Sequence, residues 1–204
     1  MGDSVDERKR TTLRRFAALG AATPFVGVAS GSSGDNSRSE VPAAIRGYLS
    51  TTPGAHFSKL RDDLKLGTGE TQHHLRALIE AGEIDSSRDG EYRRFFPAEQ
   101  FTEFEQIALG YLRRETPRNM LIALLESPAD TGSELAGRLD VSRATVSNYA
   151  GALEAAGLLD RSEQYEVDNP ETVLTLLIRY ADSFGSDAVA FAARADELIR
   201  VDRS

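Results

Sequence analysis

Three arginines around a tight turn set the chemistry on offer. Arg88 stands just before Asp89-Gly90, and Arg93 and Arg94 follow just after it. Asp-Gly suits the loop of a two-residue hairpin, so guanidinium groups flank the tip of a predicted hairpin. A guanidinium offers a planar fork of donors that matches phosphate oxygens. The residues before the hairpin predict a helix over 68–81, with Leu75, Leu78, Ile79 and Thr71 on one face. That leaves Gly69, His73 and Arg76 pointing out, with Gln72 on the flank. Arg76 suits guanine O6 and N7, and Gln72 suits an adenine edge. Glu70 also points outward, where it would repel phosphate or accept from cytosine N4. The plain alternatives are a solvated helix face and a hairpin kept soluble by its charge.

Bond-breaking chemistry has little to work with. The chain has no cysteine, which excludes disulfides, thiolate metal sites and a cysteine nucleophile. It has no glycine-rich phosphate loop after a strand, no HExxH and no GxSxG. Of the three histidines (His56, His73, His74), two are adjacent in the predicted helix and do not face one ion together. No metal, cofactor or enzymatic activity is expected. A pH-sensing or DNA-facing role suits His73 better than ligation.

The 204 residues allow one large domain or two small ones. The net charge of -8 is uneven: residues 99–204 hold nineteen acidic against ten basic residues, whereas 41–98 hold eight of each. Bulk acidity opposes binding to a polyanion, so the basic residues count only where they cluster. Of the 24 basic residues only Lys9, Lys59 and Lys65 are lysine. Acidity with scarce lysine resembles the composition of proteins from salt-adapted archaea, and the acidity then reflects the solvent rather than the partner.

The elements that would position these side chains form an ordered series. In residues 1–40, Arg8-Lys9-Arg10 and Arg14-Arg15 precede a mildly apolar run from Phe16 to Ala29. Two readings stay open there: a disordered basic arm, or a twin-arginine-like export signal with a small-residue exit at Gly27-Val28-Ala29. The run is too short and too rich in Ala and Gly for a membrane span, so no stable membrane association is expected. Residues 41–97 predict three helices and a wing. The second helix is expected to be capped by Ser58 and stapled by Phe57, and the third to end at Gly82. Residues 98–115 predict a linking helix, with a seam of Phe101, Phe104, Ala108 and Tyr111 that suits either a partner helix or its own domain. In residues 116–168, Thr116-Pro117 opens a helix, Thr131 and Glu134 make a capping box, and Ser142 caps a helix over 142–156. Residues 169–204 predict two C-terminal helices, the first opened by Asn169-Pro170 and the last running from Asp187 to about Val201, as a core extension or a dimer interface.

A shift of 75 residues aligns the two halves: Leu60 with Leu135, Leu64 with Leu139, Leu78 with Leu153, Gly82 with Gly157 and Asp85 with Asp160. With two residues fewer in the hairpin, Tyr92 falls on Tyr165 and Pro97 on Pro170, which puts Glu166 and Val167 at the Arg93 and Arg94 positions. In the second helix Val146, Ala150 and Leu153 turn inward. Ala144, Ser147, Asn148 and Gly151 face out, with Arg143 and Thr145 beside them. Asn148 suits adenine and Thr145 a thymine methyl. The second unit either reads bases while the first anchors, or no longer binds DNA.

Here the chain resembles a family of archaeal predicted transcription regulators with two winged helix-turn-helix domains. The resemblance rests on TQHHLRALIEAGEI with DGEYRRFFP, then SELAGRLDVSRATVSNYAGALEAAGLLD, then LLIRYADSF. It implies a mainly α fold with small β-hairpin wings: two tandem winged helix-turn-helix domains joined by a linking helix, plus C-terminal helices. It also implies sequence-specific binding of double-stranded DNA, as a homodimer without catalysis, and a cytoplasmic location is expected beside it. The expected DNA-binding set is Gly69, Gln72, His73, Arg76, Arg88, Arg93, Arg94, Arg143, Thr145, Ser147 and Asn148. An effector or the transcription machinery is left open as a further partner. The competing class is a winged-helix module that binds protein instead of DNA, or an exported protein if the N-terminus is a real signal.

Overall fold

The computed structural model describes residues 3–20, 36–128 and 131–195. The fold is mainly α with small antiparallel hairpins, arranged as two tandem winged helix-turn-helix units. The first runs from Met1 to Phe101 and the second from Thr102 to Ser204.

The first unit opens with α1 (Asp3–Gly20), which packs on α2 (Asn36–Thr51) and on α3 (Phe57–Leu64). Over residues 3–20 the expectation of a disordered arm is therefore corrected. Leu13 is 3% exposed within the core, and Phe16 meets the Tyr48 ring edge-on at 5.3 Å. The expected exit at Gly27-Val28-Ala29 lies outside the described residues. Helix α2 starts before Val41 and buries Ile45, Tyr48 and Leu49. The expected cap at Ser58 is also corrected. His56 is the N-cap of α3, its Nδ1 accepting from the Lys59 N–H at 3.3 Å. Lys65 then turns the chain with φ 56° into α4 (Thr68–Glu80), which rests on Thr71, Leu75 and Leu78.

Strand β1 (Ala55–His56), just before α3, joins a hairpin of β2 (Ile84–Asp89) and β3 (Tyr92–Pro97) in the order β1-β3-β2. The loop between β2 and β3 is Gly90-Glu91, one residue later than the Asp-Gly pair suggests, because Asp89 pairs with Tyr92. Gly90 has φ +60° and Glu91 does not have positive φ, which matches a turn with glycine at its first central position.

The second unit opens with α5 (Glu103–Leu112), capped by Thr102 in a capping box with Glu105. It packs on α6 (Glu115–Glu126) and on α9 (Pro170–Arg179), so α5 lies on its own unit. The expected seam divides accordingly. Phe101 meets Phe96 in the first unit, while the Tyr111 hydroxyl donates to the Ala152 carbonyl at 3.0 Å. Helix α6 begins at Glu115 with Arg114 as N-cap, not at Pro117. Then follow α7 (Gly132–Arg138), α8 (Arg143–Ala155), and the hairpin of β4 (Leu159–Asp160) and β5 (Glu166–Val167). The expected capping box of Thr131 with Glu134 and the cap at Ser142 are both present.

Asn169 precedes α9 as a left-handed residue (φ 47°), and its side chain makes no capping bond. Helices α10 (Ala181–Phe184) and α11 (Ser186–Ala192) complete the second core, with Val173, Leu177, Ala188 and Phe191 fully buried. They act there as a core extension. Helix α11 ends at Ala192 with Ala193 as its C-cap, short of the expected end near Val201, and residues 196–204 lie outside the described residues. Arg118, 5% exposed, ties this extension down. It donates to Asp187 at 2.6 and 3.0 Å and to the Leu112 carbonyl at 3.0 Å.

Candidate nucleic-acid interface

Helix α4 lies on its buried face and leaves Gly69, Gln72, His73 and Arg76 exposed in one continuous stripe. Arg76 donates from Nε to Glu80 at 2.7 Å, an exposed pair one turn apart that contributes little and exchanges readily for another acceptor. The Arg76 guanidinium is held more basic than usual by that hydrogen bond and by the Glu80 charge. His73 and His74 rings meet at 5.1 Å. Burial, then the His73 charge, lowers the His74 imidazole below its ordinary range despite the opposing pull of Glu70.

Glu70 departs from the outward-facing expectation. Its carboxylate accepts from Lys9 Nζ at 2.9 and 3.2 Å and from the Gly67 N–H at 3.2 Å. Burial pushes this carboxyl up, and the Lys9 and Gly67 hydrogen bonds with the Lys9 charge outweigh it, so Glu70 sits below its ordinary range.

The hairpin separates the three arginines. Successive side chains of a strand point to opposite faces, so adjacent Arg93 and Arg94 part company. Arg88 and Arg93 are directly opposite each other across β2 and β3, and both are exposed. Arg93 is held by Ser86 Oγ at 3.0 and 2.8 Å and lies over the Phe95 ring at 5.6 Å. Arg88 has no hydrogen bond or ion pair among the described residues. Like charges opposed across a strand pair are unfavourable by themselves, and an anion seated between them removes that cost.

Arg94 is the correction. It is 3% exposed, pairs with Asp89, and donates from Nη1 to the Gly54 carbonyl at 2.9 Å. It fastens β3 to the turn before β1 and has no open face for a phosphate. Sequence reasoning missed Ser86, Asp89 and Lys9, the three residues that decide what the basic groups do. The two-residue period of a strand was the available signal for Arg94.

In the second unit Arg143, Ser147 and Asn148 are exposed on α8, and Thr145 is half-buried. Thr145 is part of the cap: its N–H donates to Ser142 Oγ at 3.0 Å and the two hydroxyls lie 2.8 Å apart. The hairpin alignment also needs correction. Leu159 pairs with Val167 as Ile84 pairs with Pro97, and the Asp168 N–H closes on the Leu158 carbonyl as Ala98 closes on Glu83. Val167 thus corresponds to Pro97, and the second hairpin is five residues shorter than the first, not two. The Arg88–Arg93 pair has no counterpart there. Tyr165 instead lies against Gly132, where a Cβ would stand 3.2 Å from its hydroxyl. No cluster of three metal-capable side chains occurs among the described residues.

Comparison with known proteins accounts for both units. A family model described as an N-terminal HTH domain matches residues 39–109, and a MarR family model matches residues 118–166. Residues 39–109 and 118–166 are thus each similar to a helix-turn-helix regulator domain. An uncharacterized HTH-type transcriptional regulator of Methanocaldococcus jannaschii is 29% identical over 120 residues, which cover 59% of this chain and 30% of the relative. The match thus spans less than a third of that relative's length. No solved structure matches the chain significantly.

Proposed function

We propose that the protein is a sequence-specific DNA-binding transcription regulator. The carrying observation is the exposed pair of opposed arginines, Arg88 and Arg93, on the hairpin that follows an exposed recognition-type helix. In this reading α4 enters the major groove, with Arg76 and Gln72 reading base edges and His73 beside them. Arg88 and Arg93 hold the phosphate backbone or enter the minor groove. Gly69 leaves room for close approach at the leading turn.

Helix α8 reads more gently through Arg143, Ser147 and Asn148, with Thr145 positioned by the cap. The short second hairpin carries Asp160, Glu163 and Glu166 and does not grip. That acidity favours a second reading for this unit alone, as a protein-contact module.

The protein acts in the cytoplasm, where its DNA is, and binds as a homodimer at a near-palindromic site. Exposed Ile107, Ile178 and Val189 of the second unit are apolar side chains available to such a contact. The arginine-rich, acidic composition fits a salt-adapted cell. A gel-shift series with selected DNA tests the assignment: Arg76→Ala should alter sequence preference, and Arg88→Ala with Arg93→Ala should weaken binding to every sequence. Unchanged binding in both variants would sink it.

A further inference from the structure

Helix α1 carries basic residues and touches the leading turn of α4. It is seated by Leu13 in the core and by Phe16 against Tyr48, and from that seat Lys9 reaches Glu70 with Nζ 2.9 Å from the nearer carboxylate oxygen. Glu70 is the third residue of α4, and its carboxylate also accepts the Gly67 N–H in a capping arrangement. The helix therefore needs an acceptor at this position.

The same position is a poor one for a negative charge at a DNA surface. At about 100° per residue, Glu70 lies roughly a quarter turn from the exposed stripe of Gly69 and His73. It borders the face that would lie in the groove. A helix in the major groove has phosphates along its borders, and its N-terminal residues come nearest the bases. A bare carboxylate there would repel the backbone, while an uncapped α4 would fray.

We propose that α1 is part of the DNA-contacting surface, with Lys9 cancelling the charge of Glu70 on the leading turn of α4 and the exposed Arg10 adding a phosphate contact beside it. This rests on the DNA-binding reading above. The ion pair reconciles the two demands on Glu70: the carboxylate keeps its cap, and the border of the helix is no longer negative. Lys9 and Glu70 side chains are 29% and 34% exposed, so the pair sits at the surface edge where a phosphate can approach. Arg10 is exposed one residue further along.

The test is binding of the full chain to a fluorescent, mixed-sequence DNA duplex over a salt series, with thermal unfolding of each variant alongside. Lys9→Ala should weaken binding about tenfold at low salt, and adding Glu70→Gln should restore most of it, since the amide oxygen still accepts from Gly67. Arg10→Ala should lower the slope of log affinity against log salt by about one. Glu70→Gln alone should bind at least as tightly as wild type. Lys9→Ala binding at wild-type strength would overturn the proposal. So would a Lys9→Ala loss that Glu70→Gln leaves unrecovered, because Lys9 would then merely hold α1 in place. If wild type shows no salt-dependent binding, the DNA reading itself has failed; wild-type binding with an indifferent Lys9→Ala refutes the role of α1 alone.

Discussion

Between the second helix and the first strand of each hairpin, the two winged units repeat one local geometry. Lys65 and Asp140 make the same left-handed turn, with φ 56° and 52°, and Gly82 and Gly157 both end a recognition-type helix at φ +68°. The Glu83 N–H closes on Leu78 and the Leu158 N–H on Leu153, each at 2.9 Å. The units part at the hairpin tip. One carries opposed arginines on two six-residue strands, and the other is five residues shorter and folds Tyr165 back onto α7. Helix packing and caps hold the frame, and the hairpin beyond its first pair is free to gain or lose a ligand surface. In the proposed DNA-binding role, grip on a polyanion is separable from the helix-turn-helix frame that presents it.

The sharpest way to break this comparison is inside the first hairpin, where Arg94 is buried as a fastener and its exposed neighbour Arg93 is proposed to grip phosphate. Arg94→Ala takes the guanidinium donor from the Gly54 carbonyl and one charged partner from Asp89, and should cost about 3 kcal/mol of stability in urea or thermal unfolding. Arg93→Ala should leave the melting temperature nearly unchanged. Equal effects from the two would remove the distinction between fastening and gripping.

The second unit has its own buried guanidinium, and Arg118→Ala should cost about 2 kcal/mol by leaving the Leu112 carbonyl and Asp187 without their donor. The pH dependence has a definite sign. Burial raises the Asp187 carboxyl, but the hydrogen bonds and charge of Arg118 pull it below the ordinary aspartate range. The unfolded chain therefore takes up this proton first as pH falls. The contribution is present above about pH 4 and fades below it. Denaturation curves taken across that range should show the acid limb in wild type and a shallower one in Arg118→Ala.

For DNA, Arg88→Ala with Arg93→Ala should weaken binding by roughly tenfold or more and reduce the salt slope by about two. The smallest effect expected is at α8. Arg143→Ala should lower affinity only a few-fold, measured by anisotropy at low salt. No change there, with a large change at Arg88 and Arg93, would assign DNA contact to the first unit alone.

The frame was legible because its signals are local. Apolar spacing placed Leu75 and Leu78 inward, Gly82 and Gly157 marked helix ends, and Thr131 with Glu134 announced a cap. The wing was harder. Coincident tyrosines and prolines suggested a two-residue shortening, whereas hydrogen-bond register, a property of two strands together, requires five. Arg94 was misplaced because a side chain's face depends on where β3 pairs with β2. Lys9 was missed because its partner lies 61 residues away, and ionic contacts at that separation leave no periodic trace.

The matching closures beneath the two hairpins, Ala98 on Glu83 and Asp168 on Leu158, have a consequence for building with this fold. They are a common socket. A hairpin cut above that socket is an exchangeable part once its fastening travels with it: the longer basic wing seated on the second unit would need a counterpart of β1 and of the Gly54 carbonyl that holds Arg94. The fold then becomes a chassis on which the number of gripping wings is a matter of choice.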